Sequence, residues 1–164
     1  MEPTKCYVID SSSLIQMNRE NPLDVFPSLW KELEDLIKKG LLISHEEVLN
    51  EISQQDDMLE EWAKKNKKLF KKSTPNQAKI VGEILTKYPS LINVDSLYQA
   101  DPWLIALTKE LKDEKQKMLW EIKRLIVTEE KIKGNKTRIP LVCNDYGIDC
   151  IDRIEMFREE KWSF

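Results

Sequence analysis

The sequence predicts an α/β fold built on a mostly parallel sheet, and three observations carry that prediction. Short apolar runs end abruptly in acidic or polar residues: Cys6 to Ile9 runs into Asp10 and three serines, and Leu125 to Val127 runs into Thr128, Glu129 and Glu130. Between such runs, apolar residues recur at helical spacing, as in Phe26, Leu29, Trp30, Leu33, Leu36 and Ile37. The two patterns alternate along the whole chain, with no internal repeat and no low-complexity linker. Strands buried on both faces and joined by helices are the pattern of a parallel sheet covered on both sides.

In chain order, Cys6 to Ile9 reads as a buried strand entering a polar turn at Asp10 to Ser13. Asn21 to Asp24 is a turn signal. A helix follows, with Pro27 in its first turn and Gly40 at its C-terminal stop. Leu41 to Ile43 is a second strand. Ser44 and Glu47 form a capping-box pattern, which predicts Ser44 as N-cap of a helix with Val48 and Ile52 inside. A charged helix is expected from Asp56 to about Lys71, another from Pro75 to Tyr88, and an irregular link over Leu91 to Val94. Asp101-Pro102 predicts a helix start with Asp101 as N-cap. Leu125 to Thr128 is a strand, Asp149 to Ile151 the last strand, and Arg153 to Glu160 a C-terminal helix.

With 164 residues, the chain suits a single domain, 1–164, carrying a charged helical insert at about 56–88. Lys and Arg number 26 against 29 Asp and Glu, a net charge of -3. A global basic field for nucleic acid is absent, so any polyanion must meet local patches. The three cysteines, Cys6, Cys143 and Cys150, are odd in number and form no CxxC pair, which predicts free thiols in a reducing compartment. Cys143 and Cys150 are too far apart for a zinc knuckle, and the only histidine, His45, is remote in sequence. No run reaches transmembrane length, and Cys6 to Ile9 is too short for a signal peptide, so a cytoplasmic location without membrane contact is expected.

Ligand crevices in open parallel sheets lie beyond the carboxyl ends of the strands. Four acids stand there or just inside a following helix: Asp10, Glu51, Asp101 and Glu130. Each has a plainer reading taken alone. Asp10 suits a turn, Glu51 a solvated helix face, Asp101 a cap, and Glu130 a charged loop. Carboxylates gathered together repel one another unless a hard divalent cation such as Mg²⁺ or Mn²⁺ compensates them.

The blocks around these acids resemble those of PIN-domain nucleases. Tyr7-Val8-Ile9-Asp10-Ser11-Ser12 resembles their opening strand and first acid. Ile43 to Ile52 resembles the second block, with Glu51 its acid. Ala100 to Leu107 resembles the third, and Ile126 to Glu130 the fourth, in which a strand ends in Thr, any residue, then an acid. The blocks come in family order and span most of the chain. Val25 to Trp30, Glu61-Trp62 and Ile139-Pro140 before Cys143 resemble a prokaryotic, VapC-like toxin subgroup. Glu130 departs from the usual Asp, and Asp145 is an alternative fourth acid.

The resemblance implies a three-layer α/β/α domain with about four or five short strands. It implies a metal-dependent ribonuclease, often the toxin of a toxin–antitoxin pair, forming homodimers. Asp10, Glu51, Asp101 and Glu130 would hold one or two Mg²⁺ or Mn²⁺ ions and act catalytically, with Ser11 and Thr128 supporting them. RNA would meet Lys67, Lys68, Lys71, Lys72, Lys133, Lys136 and Arg138, and the outer parts of the Trp30 and Trp62 helices offer a partner surface. Two other readings stand beside this one: a catalytically weak RNA- or protein-binding module of the same fold, and a phosphatase-like enzyme. The phosphatase reading lacks its Asp-x-Asp pair, since Ser12 holds the second position.

Overall fold

A computed structural model describes residues 2–54, 57–91, 99–114, 121–131 and 138–164. Five strands form one sheet: β1 (Thr4–Ile9), β2 (Leu42–His45), β3 (Phe70–Lys71), β4 (Ile122–Val127) and β5 (Asp149–Ile151). Their order is β3-β2-β1-β4-β5, and every pairing is parallel. Eight α-helices flank the sheet among the described residues: α1 (Ser11–Glu20), α2 (Pro27–Lys38), α3 (Glu46–Ile52), α4 (Asp57–Lys65), α5 (Pro75–Lys87), α6 (Ala100–Glu114), α7 (Ile139–Tyr146) and α8 (Arg153–Glu159). The result is the expected three-layer α/β/α arrangement. Cys6 to Ile9 and Leu125 to Val127 are buried because helices cover both faces of these central strands.

The topology fixes where a site can form. From β1 the chain moves one way to β2 and β3, and the later strands β4 and β5 build on the other side. The switch in direction therefore lies between β1 and β4, which pair from Thr4↔Ile122 to Ile9↔Val127. At this edge Asp10 N–H donates to Val127 O at 2.9 Å. The ends of these two strands open the crevice that such sheets present to ligands.

Several local expectations are corrected. Ser11 to Ser13 are not a polar turn; they are the first turn of α1, with Asp10 as N-cap accepting from Ser11 N–H. Asp is a strong cap, and Leu14 and Met17 supply the buried face that carries the helix onward. Ser44 does not cap α3. It remains in β2 and its hydroxyl donates across the sheet to Ile9 O at 2.6 Å. His45 is the cap instead, its Nδ1 accepting from Glu47 N–H at 3.1 Å. Nor does Asp101 cap α6, which starts one residue earlier, at Ala100.

The helix expected to reach Lys71 stops at Lys65, where the Asn66 side chain donates to Trp62 O at 2.9 Å. A 3-10 turn, Lys67–Leu69, then buries Leu69 and delivers the edge strand β3. The charged segment thus extends the sheet through Ser44↔Phe70 and His45↔Lys71. Trp30 and Trp62 themselves belong to the core. Both are buried and meet edge to face at 4.9 Å between centroids. Of the expected link, Leu91 ends a second 3-10 turn, and residues 92–94 lie outside the described residues.

One stop signal carries a testable cost. Gly147 ends α7 with φ +64, and a Cβ there would stand 3.2 Å from Lys112 Nζ, which donates to Gly147 O. Gly147→Ala is expected to destabilise the fold by about 1–2 kcal/mol in urea unfolding, because the left-handed backbone disfavours any side chain.

Candidate metal centre

Three of the four sequence-predicted acids converge at the β1–β4 edge. Asp10, Asp101 and Glu130 each offer a carboxylate oxygen, and these oxygens lie within 4.8 Å of one another. Asp10 stands directly beyond β1, Glu130 three residues beyond β4, and Asp101 in the first turn of α6.

Asp10 is held by donors on both oxygens. Oδ1 accepts from Ser11 N–H at 2.8 Å; Oδ2 accepts from Ser12 Oγ at 2.7 Å and Thr128 Oγ1 at 3.0 Å. Thr128 Oγ1 in turn accepts from Glu130 N–H at 3.2 Å, so one hydroxyl ties two of the acids to a single geometry. Glu130 Oε2 accepts from Ile139 N–H at 3.0 Å, at the start of α7. Asp101 accepts no hydrogen bond from any described residue, and one of its oxygens faces those of Asp10 and Glu130.

Glu51 stands at the same wall but is differently employed. Its Oε2 accepts from Ser11 Oγ at 2.6 Å and its Oε1 from Ala100 N–H at 2.8 Å. The second bond explains why α6 begins at Ala100: Glu51 takes the cap acceptor's place, and Asp101 is released from capping. Ser11 therefore supports Glu51 through its hydroxyl and Asp10 through its N–H.

The electrostatics follow from packing like charges together. Burial pushes the Asp10 carboxyl up, against the four hydrogen bonds that Ser11, Ser12 and Thr128 direct at it. Asp101 is pushed well above the usual carboxylate range by burial and then by Asp10, Glu130 and Glu51, with Arg138 opposing. Burial also raises Glu51, with Asp10 and Glu130 adding to it. Glu130 is raised by burial and Asp10, while Ile139 N–H and Arg138 oppose. Ionising all four together is opposed by burial and by their mutual repulsion, which a bound cation would offset. An all-oxygen donor set of this kind can hold a hard metal ion.

The remaining predicted residues lie elsewhere. Asp145 is on α7 and pairs with Lys87 Nζ at 3.0 Å, so it takes no part in the cluster. Glu129 is engaged outside the cluster: it accepts from Ser13 Oγ at 2.8 Å and Arg153 N–H at 3.1 Å, and pairs with the Arg153 guanidinium. Lys67 and Lys68 are exposed in the 3-10 turn before β3. Lys71 and Lys72 line a cavity that contains none of the four acids. Arg138, just before α7, is the predicted cation whose charge reaches Asp101 and Glu130. Lys133 and Lys136 lie outside the described residues. Among the described residues, no helix is long and apolar enough to cross a membrane.

Ser12 was not predicted as a site residue, yet it contributes the shortest hydrogen bond to Asp10 and also accepts from Glu129 N–H at 3.0 Å. The run of serines after Asp10 is the signal that pointed to it, but only the helical turn aims the second hydroxyl back at the acid. Ser12→Ala is expected to weaken Mn²⁺ binding about tenfold or more, read by calorimetric titration, because donors behind a ligand fix its orientation.

The chain matches the model of one protein family, described as a domain of unknown function, DUF4411, over residues 7–164. No curated protein matches it.

Proposed function

The chain belongs to the DUF4411 family, and we propose that it is a divalent-metal-dependent endoribonuclease of the PIN type. The observation that carries this reading is the convergence of Asp10, Asp101 and Glu130 within 4.8 Å at the edge where the sheet changes direction. That geometry agrees with the order of acidic blocks on which the PIN resemblance rests. In this proposal the three carboxylates hold Mg²⁺ or Mn²⁺, and Glu51, fixed by Ser11 and Ala100, completes the acidic wall.

The metal supplies activation of water and compensation of the charge that develops on a cleaved phosphodiester. The chain's own residues supply the orientation. Ser12 and Thr128 hold Asp10 in place, and Thr128 couples it to Glu130. Arg138 provides a positive charge beside the acids, suited to an RNA phosphate. The proposal extends to a toxin role with an antitoxin partner and a homodimeric state, as the PIN resemblance implies.

The test is cleavage of single-stranded RNA by metal-free protein reloaded with Mn²⁺ or Mg²⁺. Turnover that appears only with metal supports the reading. RNA binding with no turnover at any metal concentration assigns the chain as a binding module instead.

A further inference from the structure

A second cavity lies on the sheet away from the acids, and its lining is cationic. It measures about 440 Å³, within the range of small-molecule sites, and Ile43, Leu107 and Leu111 form its apolar walls. Lys71 and Lys72, at the end of β3, and Arg124, in β4, line it as well. It is separate from the acidic centre. Its α6 residues begin at Leu107, six residues beyond Asp101, or roughly 9 Å along the helix. Arg124 lies four residues before Thr128, or roughly 13 Å along the strand.

The cations of this cavity form no ion pair among the described residues, although the charge of Lys72 reaches Glu46, which accepts from Ser73 N–H and Oγ. Among the described residues, no carboxylate comes within ion-pair reach of Lys71, Lys72 or Arg124. Arg124 Nε is buried and has no hydrogen-bond partner there. Its Nη1 donates at 3.0 Å to Cys6 Sγ, a weak acceptor. That thiol donates to Gly40 O at 3.7 Å, and burial pushes it up, so it is no counter-ion. The buried acid of the wall, Glu110, is engaged by three hydrogen bonds. Its Oε2 accepts from Thr74 Oγ1 at 2.6 Å and Asn76 Nδ2 at 3.1 Å, and its Oε1 accepts from Gln77 Nε2 at 3.0 Å. Glu114 is exposed at the rim.

Arg124 is half-buried, and a half-buried guanidinium with no carboxylate beside it leaves net positive charge on the cavity wall. An entering oxyanion would meet the two exposed lysines and the positive charge of the Arg124 guanidinium, none of them paired with a carboxylate of the described residues. The apolar walls leave room for an organic body attached to it. We propose that this cavity is a binding site for a phosphate-bearing small molecule, with Lys71, Lys72 and Arg124 holding the phosphate and Ile43, Leu107 and Leu111 receiving the remainder. Nucleotides belong to this ligand class. The site is independent of the acidic centre and needs no metal.

Calorimetric titration of the full chain in EDTA, with ADP, inorganic phosphate and adenosine as separate probes, tests the assignment. ADP, phosphate or both should bind saturably. The double variant Lys71→Gln/Lys72→Gln, altered at two exposed positions, should weaken that binding about tenfold or more. Asp101→Asn should leave it unchanged, and the double variant should bind Mn²⁺ as the wild type does. Arg124→Gln should abolish it; if that variant does not fold, the lysine variant carries the test. ADP binding tighter than phosphate assigns a nucleotide as the source of the phosphate, and equal binding assigns the free ion. No saturable binding, adenosine binding as tight as ADP, full binding by the lysine variant, or loss in Asp101→Asn would overturn the proposal.

Discussion

Asp10→Asn is expected to lower Mn²⁺-dependent RNA cleavage by about two to three orders of magnitude and, in the same protein, to raise the thermal stability of the metal-free fold. The two effects share one cause. The Asp10 carboxylate is buried beside Asp101, Glu51 and Glu130, and in the absence of metal its charge is opposed by every acid around it. An amide of the same shape removes that charge. It can still accept from Ser11 N–H, and the Ser12 and Thr128 hydroxyls can turn to accept from its NH₂ group. The fold therefore loses repulsion and keeps its hydrogen bonds, a gain of about 1 kcal/mol or more, or roughly 2–4 °C in a chain of this size. Cleavage suffers because a neutral amide is a poor ligand for a hard cation. Cleavage rate and melting temperature, measured on one preparation, separate this outcome from misfolding. Wild-type cleavage by a well-folded Asp10→Asn protein would remove Asp10 from the site.

The parts of this centre that sequence could reveal are those set by one chain segment at a time. Asp10 was legible because an apolar run ending in an acid is a buried strand reaching the sheet edge, and the same logic found Thr128 and Glu130. The parallel sheet was legible for a similar reason, since Cys6 to Ile9 has no polar face. What stayed hidden depends on contacts between segments. Asp101 looked like a cap because Asp before Pro is a good local cap. The true acceptor for Ala100 N–H is Glu51, from a helix 49 residues away in sequence. Ser44 looked like a cap for the same local reason, while its hydroxyl is spent on Ile9 O across the sheet. β3 is two residues long, too short for any periodicity, and exists because β2 presents an edge to it. Lys71 and Lys72 were legible as charge, but their position beside Arg124 is a product of that pairing.

Metal-free protein is expected to lose stability as pH rises through the range in which the acidic centre ionises, and Mn²⁺ is expected to reverse that loss. Asp10 and Asp101 are raised above an ordinary value of 3.8, and Glu51 and Glu130 above 4.5. Between the ordinary and the raised values, the folded chain holds protons that the unfolded chain has released. Unfolding then releases protons, and stability falls with rising pH. The contribution of these acids is complete below their ordinary values and is lost as pH climbs through their raised ones. Glu46 and Glu110 are lowered and act in the opposite sense, but below 4.5. His45, buried and lowered from 6.5, favours the fold as pH rises toward that value. The difference between wild type and Asp101→Asn cancels these common terms, so the wild type should lose stability relative to the variant with increasing pH. Asp101 suits this comparison because no described residue donates to it, and its replacement breaks no such bond. Metal inverts the sign, because a cation competes with protons for the same oxygens and binds better as they leave. Melting temperatures across pH 4 to 8, with EDTA and with excess Mn²⁺, should therefore give wild-type-minus-variant slopes of opposite direction. Parallel slopes in the two conditions would mean that Asp101 ionises without facing the metal, and would reduce the centre to Asp10 and Glu130.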